Sequence, residues 1–188
     1  ETLFLHKADL QVPQAALIAL ENEAKYFIHA VLDYARDCYQ VKEESLPGLQ
    51  LHPGFRNMAL PEKYEHIKFL YGEIHGFYIR LQKNVMNAEE SEKLDRLMSS
   101  VRNSMYAAKS IKDSIPDMEQ LENSANDINF SFYGQTRESI REFCSSILQV
   151  MGTADPLRGK ELAAVYQAVT EKYNSSLRYF YKENIAGH

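Results

Sequence analysis

The sequence predicts an all-α fold, an antiparallel bundle of about five long helices. Apolar residues recur at alternating steps of three and four along most of the chain, which aligns them on one face of a helix. No alternating apolar and polar run is long enough for a strand. Gly and Pro number only 8 and 6 in 188 residues, so long uninterrupted elements are allowed.

The first helix is expected over about residues 13–40, with Pro13 in its first turn and Leu17, Leu20, Ala24, Phe27, Val31, Tyr34 and Cys38 on its inner stripe. Residues 41–60, with Leu46-Pro47-Gly48 and His52-Pro53-Gly54, read as a loop of the length that is often functional or mobile. A second helix opens near Pro61 and places Ile67, Tyr71, Ile74, Tyr78, Leu81 and Val85 inward. Gly72 and Gly76 lie within it, each costing about 1 kcal/mol against Ala while permitting close helix approach. Asn87 with Glu90 forms a capping box for a third helix, so the second and third helices should make a tight hairpin. That third helix buries Leu94, Leu97 or Met98, Val101, Met105, Ala108 and Ile115 before Pro116 kinks or ends it. A short piece, residues 117–124, leads through Asn126-Asp127 to a fourth helix with Phe132, Ile140, Phe143, Ile147 and Val150 inward and Gly152 as its C-cap. Asp155-Pro156 starts a fifth, carrying Leu162, Val165, Val169, Tyr173, Leu177 and Phe180. The whole of 1–188 reads as one all-α domain, a three-helix unit over 10–125 followed by two further helices over 126–188.

Composition narrows the function classes. The 26 acidic residues outnumber 21 basic ones, for a net charge of -5, and no dense Lys/Arg cluster is present, so no nucleic-acid partner is expected. Cys38 and Cys144 each fall inside an apolar helical pattern, which predicts two buried reduced thiols and no disulfide framework. Without a run of 18 apolar residues or a secretory leader, the chain as given is expected to be soluble. It opens on Glu1-Thr2-Leu3 and not on Met, so it is expected to be part of a longer protein.

Little in the sequence points to catalysis. The six histidines include no i, i+4 pair on one helix, and nucleophile-elbow and phosphate-loop motifs are absent. A Glu-x-x-His pair, needed for a ferritin-type di-iron centre, does not occur. The candidate metal ligands are carboxylates: Asp33 and Asp37, one helical turn apart, and Asp113 if it meets them across the bundle. A solvated polar face flanking Tyr34 is the simpler account of the first two. Twelve tyrosines, four of them at Tyr166, Tyr173, Tyr179 and Tyr181, suit helix packing or a partner surface, and the Tyr179-Phe180-Tyr181 rings cannot all face one way.

The runs Met86-Asn87-Ala88-Glu89-Glu90-Ser91-Glu92-Lys93-Leu94 and Val101-Arg102-Asn103-Ser104-Met105-Tyr106-Ala107-Ala108-Lys109-Ser110-Ile111-Lys112-Asp113 resemble the third helix of PhoU-like domains attached to bacterial sodium/phosphate cotransporters. Pro13-Gln14-Ala15-Ala16-Leu17, with Glu21 or Glu23 beyond, is similar to their first helix, and Tyr64 to Gln82, with Glu73-Ile74 and Tyr78-Ile79-Arg80-Leu81-Gln82, to their second. The likeness covers roughly residues 10–125, and it implies that 130–185 is a partial second repeat. It also implies metal binding through an acid-x-x-x-Asp motif, whose matching positions here are Lys109 and Asp113. Lys109 replaces the first carboxylate, and a cation there removes the attraction that the acid supplies.

The resemblance implies a non-catalytic regulatory or interaction domain of a sodium-dependent phosphate transporter, on the cytoplasmic side of the inner membrane. Its expected partners are the membrane domain of the parent transporter or a second copy of the chain, with no cofactor. The alternatives are a free-standing PhoU-like adaptor in phosphate signalling, and a divalent-metal bundle built on Asp33, Asp37 and Asp113. Phosphate binding stays open, resting on Arg102, Lys109, Lys112, Arg158 and Lys160, whose spatial relation the sequence does not show.

Overall fold

The structure is a computed structural model that describes residues 1–152 together with 164, 167–168, 170–172, 174–175 and 177–183. Every regular element among the described residues is helical: α1 (Pro13–Cys38), α2 (Pro53–Arg56), α3 (Leu60–Leu81), α4 (Ala88–Glu122) and α5 (Asp127–Met151), with 3-10 turns at Leu5–Lys7 and Glu43–Ser45. The fifth predicted helix lies largely outside the described residues, including Asp155-Pro156, Leu162, Val165, Val169 and Tyr173. Residues 177–183 are helical, with Leu177 and Phe180 half-buried.

The chain forms two compact units. The first comprises residues 1–34 and 50–110, the second 35–49 and 111–188, so the boundary falls inside α1 and α4 and not near residue 125. Helix length makes this reasonable, since the 35 residues of α4 rise about 52 Å at ~1.5 Å each, more than one small unit can cover.

In the first unit, α1 buries Leu17, Leu20, Ala24, Phe27, Val31 and Tyr34 as expected. The inner stripe of α3 is Ile67, Leu70, Ile74, Phe77 and Leu81; Tyr71 and Tyr78 are half-buried at its edge. Val85 is 96% exposed, because α3 ends at Leu81 and the helical period does not extend to it. The Asn87 and Glu90 capping box forms in full: Glu90 N–H donates to Asn87 Oδ1 at 2.8 Å, and Asn87 N–H to Glu90 Oε2 at 3.0 Å. Tyr78 then donates its hydroxyl to Asp95 at 3.1 Å, tying α3 to α4. Leu94, Met98, Val101 and Ala108 are buried, which decides between Leu97 and Met98; Met105 is half-buried.

In the second unit, Pro116 does not end its helix. It has no N–H to donate. The neighbouring Ser114 hydroxyl donates to Ile111 O at 2.7 Å, and Ile111, Ile115, Met118 and Leu121 all pack into one core with Tyr39, Val41 and Tyr133. Apolar burial on both sides of the proline therefore keeps α4 continuous to Glu122. Asn126 caps α5 by accepting from Ile128 N–H at 2.8 Å, and Gly152 closes it, its N–H donating to Leu148 O at 3.0 Å. The buried face of α5 is Phe132, Tyr133, Cys144 and Leu148, about one position round from the expected stripe; Ile140, Phe143, Ile147 and Val150 are half-buried. The segment 41–60 also differs from a plain loop, for Val41, Leu46, Leu49 and Phe55 are all buried and anchor its two short helical turns.

Candidate functional site

Three polar constructions stand out, and sequence reasoning anticipated none of them as built. In the first unit, Asp33 is fully buried and accepts from Lys63 Nζ at 2.8 Å. The Lys63 ammonium also lies 5.6 Å from the centre of the Phe55 ring. Lys63 falls on the same stripe as Ile67, Leu70 and Ile74, so the burial of its stem follows from the helical period. A charge already seated against Asp33 opposes a divalent ion at that oxygen.

Asp37 and Asp113, the other two candidate ligands, belong to the second unit, Asp37 half-buried and Asp113 exposed. Among the described residues no group of three or more His, Cys, Asp or Glu side chains is arranged to hold a metal ion. Lys109 is exposed, as are Arg102 and Lys112; Arg158 and Lys160 lie outside the described residues.

The second construction is Glu23, buried on α1 and surrounded by backbone donors. Its carboxylate accepts from Leu3 N–H at 3.2 Å, Phe4 N–H at 2.7 Å and Leu5 N–H at 3.2 Å. Three N–H groups converging on one carboxylate are charge-assisted bonds, and they hold the first residues of the chain against α1. His29 does similar work nearby, its Nδ1 accepting from Gln50 N–H at 3.1 Å, while burial lowers its pKa.

The third is a pocket of about 330 Å³ in the second unit, walled by Lys42 and Ser45 after α1 and by Gly134, Arg137, Glu138 and Arg141 on α5. Arg141 Nε donates to both Glu138 oxygens at 3.0 Å, and this guanidinium holds the Glu138 carboxyl below the usual carboxylate range. Arg137 is positioned differently. One of its terminal nitrogens donates to Gln40 O at 2.6 Å, and its guanidinium lies 5.6 Å from the Tyr133 ring centre. Gln40 itself turns through a positive φ of 53°, and its side chain donates to Glu122 at 2.9 Å, which fixes the carbonyl that Arg137 reads.

One helix surface is apolar without being buried. On α3, Phe69, Gly72, Gly76 and Ile79 follow at steps of three, four and three, hence on one face. Phe69 is 45% and Ile79 41% exposed, and a Cβ placed on Gly72 meets no neighbouring atom within 4 Å. The aromatic cluster near the chain end splits as expected: Phe180 packs onto Phe132 at 4.9 Å, while Tyr179 and Tyr181 are exposed. No helix among the described residues is long and apolar enough to cross a membrane.

A scan against protein-family models and searches of curated proteins and of solved structures found no match to this chain.

Proposed function

We propose that the chain is a non-catalytic regulatory and interaction domain of a sodium-dependent phosphate transporter, an antiparallel PhoU-like bundle held on the cytoplasmic side of the inner membrane by its parent protein. The resemblance over residues 10–125 supplies the family. The α3 stripe is the observation that carries the interaction role. A helix face with two glycines and two exposed apolar side chains is shaped for close approach by another helix, and no atom of the described chain takes that place at Gly72. On this reading the membrane domain of the parent supplies the occupant. The carboxylate-metal alternative is weakened at Asp33, whose oxygen already has the Lys63 ammonium beside it.

The test uses the parent protein. Its gene should encode several apolar segments of about 20 residues, each long enough to span a bilayer. Gly72→Leu and Ile79→Glu, both at exposed positions, should leave the fold intact by circular dichroism, weaken copurification of the chain with the membrane part expressed separately, and alter phosphate uptake. Flanks without such segments, or uptake and association indifferent to both variants, would overturn the proposal; loss of a chain-to-chain dimer instead would reassign the stripe to self-association.

A further inference from the structure

The pocket of the second unit supports an inference that does not depend on the transporter reading. Among the described residues, Lys42, Arg137 and Arg141 face it with Glu138 as the carboxylate in its wall, so three cations against one anion leave an excess of two positive charges there. That excess occurs in a chain whose net charge is -5, where a chance concentration of cations is least expected. Arg141 is committed to Glu138 by a two-point contact. Among the described residues, neither Lys42 nor Arg137 has a carboxylate within ion-pair distance.

The arrangement is also held in place. Arg137 is fixed by the Gln40 carbonyl and the Tyr133 ring, and its Nε is buried without a hydrogen-bond acceptor. Ser45 donates both its amide, at 3.1 Å, and its hydroxyl, at 2.6 Å, to Lys42 O, so it stiffens the turn that carries Lys42. A planar guanidinium held in place, beside a second cation, is suited to a tetrahedral oxyanion, and an excess of two positive charges among the described wall residues matches a dianion better than a carboxylate. The volume of about 330 Å³ exceeds what one inorganic phosphate fills and falls in the size range of small-molecule sites.

We propose that this pocket binds a phosphate-type dianion, with Arg137 and Lys42 as its direct ligands and Glu138 limiting affinity by neutralising Arg141. The ligand is either free phosphate or the phosphoryl group of a small monoester, and titration separates the two. The full chain, labelled with ¹⁵N, is titrated with inorganic phosphate and separately with glycerol 3-phosphate at constant ionic strength, with sodium acetate as the monoanion control. Saturable shifts of the Arg137 Nε–H and of the amides of residues 42–45 are expected with at least one of the two phosphates and not with acetate. Saturation by phosphate indicates the free ion, and saturation by glycerol 3-phosphate alone indicates an ester.

Lys42→Gln and Arg137→Gln should each weaken binding about tenfold or more, the cost of losing a charged hydrogen bond. Arg137 also has a structural contact, so a folding defect could imitate its loss. Glu138→Gln resolves this, because releasing Arg141 should tighten binding by about twofold to fivefold, a gain that no folding defect produces. Shifts that grow linearly with both phosphates, that acetate reproduces, or that ignore Lys42→Gln and Glu138→Gln overturn the proposal.

Discussion

Lys63 and Asp33 are almost completely removed from water, and a pair in that setting is costly to break because either partner alone leaves a buried charge. Lys63→Met should therefore destabilise the chain by about 3–5 kcal/mol, whereas the double variant Asp33→Leu with Lys63→Met should recover most of that loss. Urea unfolding of the two single variants and the double one measures the coupling directly; a loss below about 1 kcal/mol in Lys63→Met would mean that the pair is solvated in solution. The pairing was not legible in the sequence, since its partners are 30 residues apart and Asp33 reads first as a surface acid and only second as a ligand. Glu23 was less legible still. Its donors are backbone N–H groups 18 to 20 residues earlier, and a backbone donor carries no residue-type signal. Half of the Lys63 story could have been read, because a lysine in step with Ile67 and Leu70 has its stem in the core wherever its charge goes.

At the scale of the element, legibility follows the range of the interaction that decides each feature. The Asn87 and Glu90 box closes within three residues and is plain in the sequence, as is the start of α1 at Pro13. Of the two outcomes that the sequence allows at Pro116, a kink or an end, the end does not occur, because Ile115 and Met118 pack into a core that also takes residues from α5 and the end of α1. The arginine pocket was invisible for a related reason, its wall joining Lys42 to Arg137 and Arg141 from a distant segment. Gly72 allows a prediction at this scale. Its position is helical and exposed, and an added methyl meets nothing within 4 Å, so Gly72→Ala should stabilise the chain by about 0.5–1 kcal/mol through the conformational entropy of the unfolded state. Thermal unfolding checks the sign. A residue that lowers stability where alanine would fit is consistent with a face kept bare for a partner, so the same variant should cost association with the membrane part, though less than Gly72→Leu does. Unchanged or lower stability in Gly72→Ala would mean that this face is already covered.

For the molecule as a whole, the titratable groups set two limits on stability. His29 and His66 both have pKa values lowered from 6.5, chiefly by burial, so the unfolded chain takes up protons before the folded one does. Stability is therefore lost as pH falls below 6.5, and the protonated His29 can no longer accept the Gln50 N–H. Glu21, beside Lys93, and Glu138, beside Arg141, have depressed carboxyl pKa values and add a further loss below 4.5, a small one because both pairs are open to water. On the alkaline side, burial pushes the Cys144 thiol from 9.0 up to about 12 and raises Tyr26 and Tyr133 above 10.0. The unfolded state releases these protons first, so folding weakens as pH climbs from 9.0 towards about 12. Urea midpoints measured against pH should then show a plateau between roughly 6.5 and 9 with a fall on each side. Two variants assign the limbs. His29→Asn keeps an acceptor for Gln50 without a titrating ring and should flatten the fall between about pH 6.5 and 5, and Cys144→Ala should flatten the start of the alkaline fall at some cost in packing. Stability that rises on acidification from about pH 6.5 would mean that these histidines gain a partner on folding and do not lose water, the opposite of what their burial requires.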